Sequence, residues 1–284
     1  MTFDDVIGIY LASKNHRSKQ RDLFSLQRLS PHFQGKVLSQ LKRADVRSYV
    51  TMRVAAGVQE STIKRELKLF SAAINFVRLE HDRPDLVNPA QSLGLVSGEP
   101  RIRWISRSEA SSLIAAVALG ARRPHLANFV RLALSTGCRK SELLALEWSR
   151  VDFEGASFVL EGRHTKNGKR RVIPLNEAAL DALENQREWV RLHCPQSQWV
   201  FASQGSRRVV TFQNGFRAAC DRAGILDFRI HDLRHTFASW LVMDGVSLYV
   251  VKDLLGHSSV TVTERYAHLS PTQGRAAVQR LLPF

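Results

Sequence analysis

The chain has 284 residues, enough for two domains, and its formal net charge of +15 with a pI near 10.4 selects polyanions as partners. No apolar run approaches the roughly 18 residues of a membrane span, and Met1–Lys14, which carries Asp4 and Asp5, lacks the basic and apolar regions of a signal peptide. Cys138, Cys194 and Cys220 form no CxxC pair and leave an odd count, so a disulfide framework or a zinc site is not expected and a reducing cytoplasm is.

Arginine and lysine are spread along the whole chain, which points to basic faces on a folded protein and away from a solubilising tail. The first part reads as helical. Asp45–Ala56 buries Val46, Tyr49 and Val50 and shows Arg47 and Arg53. Ser61–Glu80 spaces Ile63, Leu67, Phe70, Ile74 and Val77 three to four residues apart, which makes one apolar stripe with Lys64, Arg65 and Lys68 largely outside it. Those cations are as readily a solvated helix face as a phosphate-contacting one. Pro89, Gly94, Gly98 and Pro100 then break the periodicity. The expected division is a domain at 1–96, a linker at 97–102 and a second domain at 103–284.

The second part alternates types. Arg107–Ala118, Pro124–Leu134 and Lys140–Trp148 predict helices, and Ala156–Glu161 and Arg170–Leu175 predict strands. Asn167-Gly168 between those strands is a strong hairpin signal and sets Lys166 beside a tight turn. Helices resume at Glu177–His193, at Thr211–Gly224 and from His231 onward. The fold class is therefore mainly α with a small β-sheet.

Three stretches carry candidate chemistry. His231-Asp232-Leu233-Arg234 puts a histidine and an arginine on one helix face, a pairing that suits an oxyanion, although alone it reads better as an ordinary surface polar pair. Ser135-Thr136-Gly137-Cys138-Arg139 ends an apolar helix at a glycine and opens the next with an arginine. Glu142, one turn on, could orient Arg139 or cap the helix start. Leu254-Leu255-Gly256-His257 ends a helix at a glycine and leaves His257 at its exposed end, with Tyr266 nine positions later. Of the four tyrosines, Tyr10 and Tyr49 lie on apolar stripes and Tyr249 inside an apolar helix run, while Tyr266 has polar and charged neighbours and is the best placed to react.

In this order the pieces resemble the tyrosine recombinases, the phage-integrase family of site-specific recombinases. The matching residues are Thr136-Gly137-Cys138-Arg139-Lys140-Ser141-Glu142-Leu143, the hairpin lysine of Thr165-Lys166-Asn167-Gly168, His231-Asp232-Leu233-Arg234-His235-Thr236, Leu254-Leu255-Gly256-His257, and Tyr266. The match runs from about Trp104 to Leu282. The first domain is similar to the family's core-binding domain, which has a SAM-like helical fold, only in being short, helical and basic.

The resemblance implies an enzyme that cuts and rejoins duplex DNA at specific sites through a 3′-phosphotyrosine, integrating or excising a mobile element. It implies that Arg139 and Arg234 clamp the scissile phosphate and Tyr266 attacks it. His231 would handle the nucleophile's proton, Lys166 would protonate the leaving 5′ oxygen, and His257 would hydrogen-bond the phosphate. Arg47, Lys64, Arg65 and Lys68 become candidate DNA contacts, made by two domains that clamp the duplex. The expected assembly is a homotetramer on DNA, with no cofactor and no metal, in the bacterial cytoplasm or nucleoid. No arm-site-binding domain is expected ahead of residue 1. A relaxing enzyme of the type IB topoisomerase kind and a catalytically silent DNA-binding protein are the competing classes.

The physics is consistent with that set. A free tyrosine, with a pKa of about 10, is a poor nucleophile at neutral pH without help. Fixed guanidinium groups can stabilise charge on a transferring phosphoryl group. The covalent link would preserve the phosphodiester's energy, and the chain shows no GxxxxGK[ST] loop for a nucleotide.

Overall fold

A computed structural model describes residues 1–13, 19–96, 98, 101–120, 124–162, 168–270 and 278. The chain divides into two compact units, Met1–Pro100 and Arg101–Phe284.

The first unit is built from helices α1 (Phe3–Ser13), α2 (Lys19–Phe33), α3 (Arg43–Ala55) and α4 (Glu60–Glu80). The α4 stripe faces inward as its spacing predicts: Ile63, Phe70, Ile74 and Val77 are fully buried. Phe70 meets Phe3 edge-on at 5.0 Å between ring centroids, and Phe33 joins Tyr49 at 5.4 Å. Arg53, expected to face solvent, turns inward. Its guanidinium bonds Glu66 Oε1 at 2.6 Å, and Tyr49 Oη donates to Glu66 Oε2 at 2.7 Å. Glu66 is a charge on the buried stripe, so burial is tolerable only with partners, and Arg53 and Tyr49 supply them.

The second unit carries α5 (Arg107–Gly120), α6 (His125–Thr136), α7 (Lys140–Leu144), α8 (Glu177–His193), α9 (Gln213–Arg222), α10 (Asp232–Met243) and α11 (Leu248–Leu255). α6 packs against α8 and α10, and α5 packs against α9. The small sheet is antiparallel in the order β1 (Val151–Asp152), β2 (Ser157–Leu160), β3 (Arg171–Pro174). Phe158 pairs with Ile173 and both are buried, while Val172 points out, the period-2 alternation of a half-covered sheet. A second hairpin, β4 (Ala202–Ser203) with β5 (Arg207–Arg208), was not anticipated. The predicted Asn167-Gly168 turn falls partly outside the described residues; Gly168 has φ +71°, the left-handed region that favours glycine.

Two further expectations need correction. The helix expected over Lys140–Trp148 stops at Leu144. Beyond it the backbone pairs sideways: Trp148 N donates to Gln198 O, and Val200 N donates to Leu146 O, both at 2.9 Å. That exchange spends on a neighbouring segment the groups a helix would have used. Tyr249, expected inside an apolar run, is 68% exposed, because α11 turns Val251 and Leu255 inward instead. Among the described residues no helix is long and apolar enough to cross a membrane.

Candidate active site

Two glycines shape the site. α6 ends at Gly137 with φ +61°, and α11 ends at Gly256 with φ +64°. A side chain at either is strained by that left-handed backbone. A Cβ on Gly137 would lie 2.3 Å from the Phe237 ring, and one on Gly256 would lie 2.0 Å from Arg171 Nη1. The carbonyls at these two helix ends converge on one cation: Arg234 Nη1 donates to Gly137 O at 2.7 Å and Nη2 to Leu255 O at 2.6 Å. Arg234 is only 4% exposed. Burial, then the like charge of Arg139, pushes its pKa down to about 10, so it stays cationic at neutral pH.

Arg139 is the residue before α7. Glu142 both caps the helix and orients the arginine, the two options the sequence leaves open: Arg139 N donates to Glu142 Oε2 at 2.8 Å and Nη1 to Oε1 at 2.6 Å. Glu142 is 1% exposed. It also accepts from Arg171 Nη2 at 3.2 Å, so one buried carboxylate serves two guanidinium groups.

The start of α10 is pinned from outside. The Arg101 fork holds Asp232 Oδ2 at 2.9 Å and Asp227 Oδ1 at 2.7 Å, and Arg229 N donates to the same Asp232 oxygen. His231 caps this end and is exposed. Desolvation by its surroundings, followed by the charge of Arg234, holds its pKa below the usual histidine value. His231 and Arg234 therefore differ in placement: one ring at the surface, one guanidinium buried beneath it.

After Gly256 the chain runs through two 3₁₀ segments, Val260–Val262 and Glu264–Leu269. His257 Nδ1 bonds Thr263 Oγ1 at 2.8 Å. Burial, then Arg234 and Arg139, pushes its pKa down to about 3, so it is neutral at pH 7. Tyr266 is 2% exposed and packs in a small apolar cluster with Phe237, Ala238, Val242, Val251 and Leu255. Its hydroxyl meets His235 Nδ1 at 2.5 Å. Burial raises the phenol's pKa to about 12, against the charges of Arg265 and Arg234, which lower it.

The structure thus brings together Arg139, Glu142, Arg234, His257 and Tyr266, with His231 at the rim. Lys166 lies outside the described residues. Three participants were missed. Arg171 sits under Gly256 and on Glu142, and no sequence signal marks it beyond its place at a strand start. Arg265 acts electrostatically on Tyr266 and on all three histidines. His235 was in plain view, four positions after His231 and so on the same helical face. In the first unit Arg47, Arg65 and Lys68 are exposed; Lys64 is exposed too and donates to Leu95 O at 3.2 Å. Lys64, Arg65 and Lys68 line an open groove with Arg21. Among the described residues no group of three or more His, Cys, Asp or Glu side chains could hold a metal ion.

His235 makes a pH-dependent contribution to stability. Burial first, then His231 and Arg265, pushes its pKa down from 6.5 to about 4. The unfolded chain therefore takes up this proton before the folded one does. The contribution is full above about pH 6.5 and is lost as pH falls toward about 4. Between pH 7 and 5 the DNA-free protein is expected to lose at most about 2 kcal/mol through this group. Thermal unfolding at several pH values checks this, with His235→Asn lessening the slope that His257 shares; a variant profile as steep as the wild type's would contradict it.

A small antiparallel sheet among helices, with arginines and histidines gathered about one buried tyrosine, is the architecture of a tyrosine recombinase catalytic domain. Residues 103–273 match the sequence profile of the Phage integrase family, and the chain belongs to that family. It is an enzyme of DNA strand cleavage and rejoining. It is 30% identical to the tyrosine recombinase XerD of Rhizobium meliloti (strain 1021) over 289 residues, which covers 96% of this chain and 90% of that protein. It is 36% identical to the integrase of Salmonella phage P22 over 181 residues, 60% of this chain but only 45% of the phage protein's length. Among solved structures, the Tn1549 transposon integrase in complex with a circular intermediate DNA superposes with a TM-score of 0.82 at 18% identity, covering 99% of this chain and 100% of that one. A lambda integrase dimer bound to a COC′ core site gives 0.74 at 17% identity, covering 94% and 77%. At these identities the structural likeness speaks for the fold.

Proposed function

We propose that Arg139 and Arg234 hold the non-bridging oxygens of a scissile phosphate while Tyr266 attacks the phosphorus, forming a 3′-phosphotyrosine and releasing a 5′-hydroxyl. One observation carries the reading: Arg234 joins the carbonyls of two glycine-ended helices, which gathers Arg139, His257 and the Tyr266 segment about one buried cation. Glu142 keeps Arg139 aimed. His257 reaches the phosphate, and Lys166 is the donor to the leaving oxygen. The first 96 residues serve as a core-binding domain whose Arg47, Lys64, Arg65 and Lys68 meet DNA phosphates, so affinity falls steeply with salt. The biological reaction is integration or excision of a mobile element, carried out by four protomers on paired sites.

The primary test is to trap the covalent adduct from cells and sequence the attached DNA, then assay two-site recombination on the sequence recovered. Absence of any adduct would remove the reading, and relaxation without recombination would favour a topoisomerase. Deleting residues 275–284, most of which lie outside the described residues, is expected to leave single-site binding intact and to prevent a tetrameric complex on native gels. Ala277, Val278, Leu281 and Leu282 have the spacing of one helical face, which the family resemblance assigns to a neighbouring protomer, and a truncated protein that assembles and recombines normally would refute that role.

A further inference from the structure

The family resemblance hands the nucleophile's proton to His231. The structure places a different ring against the nucleophile: His235 Nδ1 lies 2.5 Å from Tyr266 Oη, and both side chains are buried. His231 stands at the rim, edge-on to His235 with ring centroids 5.2 Å apart. We infer that His235 is the catalytic group that takes the phenolic proton of Tyr266 during attack and gives it back during rejoining. The inference rests on Tyr266 being the nucleophile.

The step balances without a further reagent. As Tyr266 Oη forms its bond to phosphorus, the Oη–H bond breaks and the proton moves to the Nδ1 lone pair, making an imidazolium. The P–O5′ bond breaks in the same displacement, and the leaving oxygen takes a proton from the general acid. In reverse, the 5′-hydroxyl attacks the phosphotyrosine and gives its proton back to the general acid's conjugate base, the P–Oη bond breaks, and His235 returns its proton to the phenolate oxygen.

The electrostatics explain why the resting enzyme does not ionise its nucleophile. Burial first, then His231, Arg265, Arg234 and Arg101, keeps the His235 ring neutral, so its lone pair can accept. The phenol is held protonated by burial, which opposes transfer while the site is empty of phosphate. An incoming phosphodiester brings negative charge against Arg234 and Arg139, which relieves the repulsion on His235 and raises its basicity at the moment of attack. The proton then moves only when a phosphate is there to consume the phenolate.

The test uses the full chain and a nicked duplex carrying the sequence recovered from trapped adducts, with single-turnover adduct formation as the readout. His235→Asn keeps a hydrogen-bonding group near Nδ1 but cannot take a proton. It is expected to slow adduct formation by roughly 10²–10⁴-fold with DNA affinity unchanged. Incorporating 3-fluorotyrosine at position 266, a more acidic phenol, should recover much of that loss; a merely structural role would not be rescued. Adduct formation in His235→Asn within threefold of wild type, or fluorotyrosine rescue of His231→Asn and not of His235→Asn, would overturn the inference. Should the variant fail to fold, nitrogen chemical shifts of His235 in the wild-type protein decide: Nδ1 is expected unprotonated in the free enzyme and protonated in the trapped adduct, and a ring unprotonated in both overturns the inference. If wild-type protein forms no adduct through Tyr266, it is the reading of the nucleophile that fails.

Discussion

Tyr266→Phe is expected to reduce covalent adduct formation on a nicked substrate to background while DNA affinity stays within about twofold. The ring is 2% exposed and belongs to the cluster of Phe237, Val251 and Leu255, and phenylalanine fills the same space. What disappears is the attacking oxygen together with its 2.5 Å contact to His235. The fold should lose about 1–3 kcal/mol, because the buried His235 Nδ1 is left without its partner. Gel mobility of the protein–DNA adduct under denaturing conditions, beside a binding titration on the same DNA, separates the two effects. An adduct that persists would move the assignment to Tyr249, which α11 leaves 68% exposed.

The second large effect is expected at Glu142. Its carboxylate is almost fully buried and accepts from Arg139 N and Nη1 and from Arg171 Nη2. Alanine there leaves two guanidinium groups close to Arg234 with no negative charge between them. Removing one partner of a buried ion pair costs about 3–5 kcal/mol, and Arg139, which is partly exposed, sets the result toward the lower end. Because Arg139 also loses its aim, cleavage should fall by on the order of 100-fold beyond what lost folding explains. Denaturant unfolding and adduct formation at saturating protein measure the two parts. A Glu142→Ala protein of wild-type stability and rate would show that the carboxylate neither holds the helix start nor orients the arginine.

Much of the architecture and the order of the site groups were legible in the sequence, and the reasons are local. Periodicity placed α4, because a stripe of Ile63, Leu67, Phe70 and Ile74 has no other way to leave water. Gly137 and Gly256 announced helix ends, since only glycine takes their backbone angles without strain and without room for a Cβ. Arg139 and His257 stood out beside such glycines, Tyr266 among polar neighbours and Arg234 three residues after His231, and it was their order, which resembles the tyrosine recombinases, that joined them into one site.

Tertiary structure alone decided which of these groups touch. Helical spacing puts His231 and His235 on one face, but only the return of the chain after α11 sets Tyr266 against the second ring. Arg171 and Glu142 are 29 residues apart, and their contact depends on β3 lying beneath Gly256. Arg53 looked like a surface cation until the charge of Glu66, buried on the neighbouring helix, required a partner. The short α7 has the same origin, because backbone pairing of Leu146 and Trp148 with Gln198–Val200 outcompetes about one more helical turn. In each case the deciding force is the cost of burying an unpaired polar group, and that cost depends on neighbours distant in sequence.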